Sequence, residues 1–189
     1  TILPGILGLV CIMLTIFAIG FELKMRTSHA WLRAAGGNYT VAMIGKLIPY
    51  TFVYLVLGIG CHLILYRYAG FPVYGSHGRL LFGMVLYIFA MEGLGITLIG
   101  LLPTLRDAIS IAALYAMLGF SLSGFTYPQM CMLPPVKALS YMEPLRHYYL
   151  IYVNEALMAA PPENSLFNML ALNAFMLAAL CVAPRLHRA

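Results

Sequence analysis

Glu92 is the one ionisable side chain deep inside an apolar run, from Leu80 to Leu102. A carboxyl at such depth is costly in hydrocarbon, so it faces protein or a wet cavity. It is a functional candidate by default, and a protonated carboxyl hydrogen-bonded across to another helix would fit the same position. Gly93 and Gly95 beside it permit close helix approach. A second constellation lies in Glu22-Leu-Lys-Met-Arg-Thr-Ser-His-Ala-Trp-Leu-Arg33. Folded as a helix, it sets Glu22, Arg26, His29 and Arg33 at spacings of four, three and four, a polar stripe carrying both signs of charge. Trp31, the only tryptophan, is an interfacial anchor. Such a helix suits a membrane surface or a partner's groove. A linker with solvated charges would show the same spacing.

The other reactive side chains form no catalytic or metal set. Gly119-Phe-Ser-Leu-Ser-Gly124 brings two serines near glycines but matches neither GxSxG nor a rhomboid-type GxSG, and no neighbouring histidine activates them. His62 and His147 each stand without a second ligand at helical spacing. Cys11, Cys61, Cys131 and Cys181 lie far apart with no CxxC pair, so neither a metal site nor a disulfide framework is indicated. No GxxxxGK[ST] loop is present to cradle a nucleotide. Any dependence on ATP must therefore come from another chain.

The elements that carry these residues are membrane helices. Of 189 residues, 62% are hydrophobic and 9% charged, and the mean hydropathy is +0.90. Soluble domains hold about 25% charged residues, so this inventory cannot build a water-soluble surface. The net charge of +5 comes without a basic stripe interleaved with aromatics, which argues against nucleic acid and for headgroup contacts at membrane boundaries. Five stretches approach the roughly 20 apolar residues of a crossing: 2–21, 47–66, 80–102, 108–127 and 166–183. The ten-residue alternation of a β-barrel strand is absent. The expected class is an all-α membrane protein, one transmembrane domain over 1–189. The sequence starts directly on an apolar run without the basic n-region of a signal peptide, and an N-terminus on the outer side then implies at least one upstream helix.

Two connecting segments are distinctive. Residues 22–46 are polar and basic. Residues 124–158 begin with Gly124 and are broken by Pro128, Pro134, Pro135 and Pro144, then mix aromatics with Glu143, Arg146 and Glu155. This pattern predicts two short helices in an outer, re-entrant segment, tolerable at membrane depth only when packed in protein or lining a cavity. Placing 22–46, Arg106 and the C-terminal tail on one side gathers seven Lys/Arg there, against four opposite (Arg67, Arg79, Lys137 and Arg146). The first side is then cytoplasmic.

Gly45-Lys-Leu-Ile-Pro-Tyr50 following the Glu22–Arg33 helix resembles the first cytoplasmic loop of ABC-2-type exporter permeases, with Met25-Arg-Thr-Ser28 where that family has Arg-Gly-Thr. Leu122-Ser-Gly-Phe-Thr-Tyr-Pro128, Met132-Leu-Pro-Pro135 and Leu139-Ser-Tyr-Met-Glu-Pro-Leu145 are similar, in order and spacing, to the same family's outer motifs. The resemblance implies a six-helix permease of which this chain holds the last five, an extracytoplasmic domain after the first helix occurring in one subgroup. It also implies a second permease subunit and separate ATPase subunits that bind ATP and Mg, with no cofactor in this chain. Glu22, Arg26, Thr27, His29, Trp31 and Arg33 would be the ATPase-coupling element. Ser123, Gly124, Phe125, Pro128, Pro134 and Pro144 would shape the outer lid of an export path. A multi-pass protein of the cell membrane, bacterial inner membrane above all, is expected, with a cytoplasmic C-terminus. The apolar spans mildly favour a hydrophobic or amphipathic cargo. The rival readings are an intramembrane enzyme such as a protease, and a non-transporting membrane assembly protein.

Overall fold

The computed structural model describes residues 2–25, 36, 39–102 and 104–182, with side chains at all of these except 23, 39, 40, 129 and 180–182. Every regular element among the described residues is helical. Helix α1 runs Ile2–Met25, with Pro4 in its first turn where no intrahelical N–H is needed. Helix α2, Tyr39–Leu63, continues through Pro49 and ends in a π turn, Ile64–Tyr68. Helix α3, His77–Leu101, starts at Ser76, whose hydroxyl accepts from Arg79 N at 3.4 Å. Helix α4, Leu105–Leu122, is capped by Thr104, which accepts from Asp107 N at 3.2 Å and donates to its carboxylate at 2.6 Å.

Beyond α4 the chain turns at Gly124, whose φ of +93° lies in the left-handed region that glycine tolerates. Two short helices follow, α5 (Pro134–Ser140) and α6 (Pro144–Tyr152), each opening on proline at its first helical position. A π turn, Val153–Leu157, then leads to α7, Pro162–Val182. Among the described residues, four segments are long and apolar enough to cross a membrane: Ile2–Glu22, Val41–Tyr68, His77–Leu101 and Leu105–Leu122. Helix α7, at 21 residues, is about 32 Å long at 1.5 Å per residue, and Glu163, Asn164, Asn168 and Asn173 make it more polar than the others.

Helix α3 is the centre of the bundle, packed against α7 and α1 most extensively and touching α2, α4 and α6 as well. Glycines set these approaches. A Cβ on Gly93 would meet Phe175 O at 3.0 Å and Met176 Cα at 3.1 Å on α7, while one on Gly95 would meet Thr15 Cβ at 3.1 Å and Ile12 O at 3.2 Å on α1. Two residues apart on a helix, the two glycines point to opposite neighbours. The core joins Cys11, Ile12 and Ile16 of α1 to Tyr87 and Ile88 of α3 and to Tyr148 and Ile151 of α6. Tyr87 stacks on Tyr148 with ring centroids 5.1 Å apart and donates its hydroxyl to Pro4 O at 3.1 Å. The outward faces are apolar: Val41, Val53, Val56 and Leu63 on α2 are all at least half exposed, which suits lipid contact.

Candidate functional site

Glu92 sits near the middle of α3 and is only 5% exposed. Its Oε1 accepts a hydrogen bond from Thr51 Oγ1 of α2 at 2.8 Å; the same hydroxyl lies 3.0 Å from Leu47 O, one turn back on its own helix. Glu92 and Thr51 border a groove of about 510 Å³ between α2, α3 and α7, where the other lining residues are apolar or glycine. Depth in a span, one protein partner and a groove edge are the features expected of a working intramembrane carboxyl.

A second buried cluster ties the segment 124–158 to the bundle. Glu155, fully buried in the π turn after α6, receives Arg79 Nε on both carboxylate oxygens, at 2.8 and 2.9 Å. Ser165 of α7 donates to it at 3.0 Å and Ser76 N at 3.3 Å, while Gly75 N bonds its carbonyl at 2.8 Å. One side chain thus links the start of α3, the end of α6 and the start of α7. In α6, buried Arg146 bonds Ser140 Oγ and lies 3.9 Å from the Tyr141 ring centre. His147 bridges Tyr141 O at 3.0 Å and Asn168 Oδ1 of α7 at 3.1 Å. Glu143, at the cap of α6, is 5% exposed, and burial pushes its carboxyl up to about 8.

The remaining singled-out residues are distributed as follows. Glu22 ends α1 in an ion pair with Lys46 of α2 at 2.6 Å; Arg26, Thr27, His29, Trp31 and Arg33 lie outside the described residues. Ser123 is buried, donating to Phe120 O at 2.9 Å and accepting from Phe125 N at 3.4 Å. Phe125 is exposed, its ring T-shaped to those of Phe120 and Tyr149 at 6.4 and 6.3 Å. Pro128 O accepts from Cys131 N at 3.0 Å, and Pro134 and Pro144 open α5 and α6. His62 is buried, its ring 4.6 Å from that of Tyr66 and 6.2 Å from that of His77. Among the described residues no group of three His, Cys, Asp or Glu could hold a metal ion. The hydroxyls of Ser121 and Ser123 both turn back to carbonyls of their own segment rather than to a histidine.

Thr51 and Ser165 carry no signal in the sequence, and Arg79 stands out there only as one of four charges placed on one membrane side. Arg79 and Glu155 are 76 residues apart, and no spacing rule reaches that far. The available signal was a charged residue, Glu155, in an otherwise apolar and aromatic stretch; its partner could not be named from it.

The family model for the ABC-2 type transporter matches residues 2–155. The chain belongs to that family. No curated protein and no solved structure matches the chain. The matched range includes α1 through α6, the α2 and α3 walls of the Glu92 groove, Arg79 and Glu155, and both segments that carried the resemblance. As an ABC-2 family member the chain is a multi-pass membrane protein and a permease component of an ABC exporter, a transport subunit rather than a catalytic one. Permeases of this family typically work with an ATPase subunit.

Proposed function

We propose that this ABC-2 permease moves a hydrophobic or amphipathic substrate outward by alternating access, driven by a separate ATPase that binds ATP and Mg and docks on the segment from Glu22 to Arg33. The observation that carries this reading is the match of residues 2–155 to the ABC-2 type transporter. The Glu22–Lys46 ion pair supports it by clamping together the two ends of the stretch 22–46 that contains the docking segment. ATP-driven closure of the partner would push on that clamp and shift α1 and α2 against α3, since a two-state element is needed to convert nucleotide state into access. The working unit is two permease and two ATPase subunits, in the bacterial inner membrane, with the C-terminus cytoplasmic. The segment 124–158 forms the outer, re-entrant part of the path.

The test is co-purification of the ATPase with the full-length permease, and ATP turnover in membranes with and without it. Stable association and permease-dependent turnover are expected. An ATPase that neither associates nor changes its turnover would return the chain to the membrane assembly reading.

A further inference from the structure

We infer that the groove between α2, α3 and α7 is a binding site for a lipophilic cation, with Glu92 as the charge that selects it. The inference deepens the export reading and rests on it for the claim that such cations are cargo. Helices α2 and α7 both lie against α3 with little contact between them, leaving a groove of about 510 Å³. Ligand pockets for drug-sized molecules are commonly about 300–1,000 Å³, mostly apolar, with a few placed polar groups. Leu47, Phe52 and Leu55 of α2, Phe89 and Ile96 of α3 and Met176 of α7 provide the apolar walls.

The occupant's charge follows from the lining. Among the described residues, Glu92 is the only ionisable one that lines the groove, and none of the basic residues does. Thr51 is the one hydrogen-bond partner of its carboxyl among the described residues, and it holds Oε1, leaving Oε2 for a ligand. A carboxylate at mid-span is costly when unpaired. A cation brought alongside offsets that cost, while a neutral molecule of the same shape does not. An anion would add like-charge repulsion in a low-dielectric setting. A cationic amphiphile is therefore favoured over a neutral lipid or an acidic one.

The experiment measures fluorescence anisotropy of rhodamine 6G, a lipophilic cation, with the full chain in nanodiscs. Nile red, an uncharged dye, is the comparison. Wild type should bind rhodamine 6G, and Glu92→Gln should weaken that binding by about tenfold or more, the loss of one charge-assisted contact, with Nile red affinity unchanged. Ile48→Trp, at a position 60% exposed and bordering the groove, should weaken rhodamine 6G binding without disturbing the core. Equal rhodamine 6G affinity in wild type and Glu92→Gln overturns the site. So does an intermolecular disulfide in Ile48→Cys, made in a cysteine-free chain, that excludes the dye, because a second copy would then fill the groove. Binding is read without ATP or ATPase, so its failure overturns this site alone. Failure of ATPase co-purification overturns the export reading alone.

Discussion

Arg79 Nε lies 2.8 and 2.9 Å from the two carboxylate oxygens of Glu155, joining the first turn of α3 to the turn that ends α6. Glu155 is fully buried, whereas the Arg79 side chain is 40% exposed, so the carboxylate depends on this contact more than the guanidinium does. Removing one partner of a buried pair costs about 3–5 kcal/mol, and the partial exposure of Arg79 places Arg79→Ala toward the lower end. Glu155→Gln should cost less, because Ser76 N can still donate to the amide oxygen in the Oε2 position while the Ser165 hydroxyl turns to accept from the amide N–H. Thermal unfolding of the purified protein, with Arg79→Ala less stable than Glu155→Gln, checks this order.

Gly93 and Gly95 predict a different failure. A side chain at Gly93 would meet α7 backbone at 3.0 Å, and one at Gly95 would meet α1 backbone at 3.2 Å, where neither neighbour can move aside as a rotamer. Overpacking of this kind costs about 1–3 kcal/mol, so Gly93→Ala and Gly95→Ala should each lower stability and Gly93→Leu should impair assembly. Gly60, with nothing within 4 Å of its added Cβ, is the control. Gly60→Ala should be neutral or stabilising, by about 0.5–1 kcal/mol. Equal thermal stability at all three positions would contradict the packing described.

The helices were legible because apolar length is a property of a continuous stretch. The run from Leu80 to Leu102 became His77–Leu101, and the prolines after Pro128 marked where helix gives way to two short pieces. Ends were less legible. Helix α4 starts at Leu105 rather than near 108, because Thr104 and Asp107 form a cap that hydropathy alone does not register. The site was legible only in half. Glu92 declared itself by being charged within an apolar run, but Thr51 is an ordinary threonine in an apolar helix 41 residues away. Its role depends on how α2 rotates against α3, which tertiary packing decides.

Glu143 gives a pH dependence with a definite sign. Burial raises its carboxyl from the ordinary 4.5 to about 8. The packed state holds the proton more tightly than the unpacked one, so packing of α6 is favoured at low pH. That advantage declines as pH rises from about 4.5 and levels off above about 8. Thermal stability of wild type should fall across this window relative to Glu143→Gln, which has no proton to lose. Parallel pH profiles for the two proteins would reject the assignment.

Orientation has its own test. The charge bias predicts that Lys46 and Arg106 share the cytoplasmic membrane face and that Lys137 lies at the opposite one. Single cysteines at these three positions, in a chain cleared of native cysteines, should respond differently to an impermeant maleimide added to intact cells. Labelling at 137 alone is expected. Labelling at 46 and 106 would invert the arrangement.

Coupling to the ATPase can be separated from the structural use of the same residue. Glu22 is bonded to Lys46 at 2.6 Å, with both side chains partly buried, so Glu22→Lys alone would break a clamp and alter a docking surface at once. The exchange Glu22→Lys with Lys46→Glu restores opposite charges across the clamp while reversing the sign that the start of the segment presents to a partner. If the clamp is what matters, the double variant should recover ATPase association and turnover lost in the single one. If Glu22 itself meets the ATPase, the double variant should remain impaired although its stability returns. Arg26→Glu is the companion measurement, because it changes the polar stripe without touching Glu22 or Lys46. Charge-assisted contacts are worth about 1.5–3 kcal/mol each, so its loss should reduce ATPase association by about tenfold or more. Solvated surface charges change stability by only about 0.5 kcal/mol. Full association in both Arg26→Glu and the double exchange would therefore remove the segment from Glu22 to Arg33 as the docking element, and the drive would have to enter the bundle elsewhere.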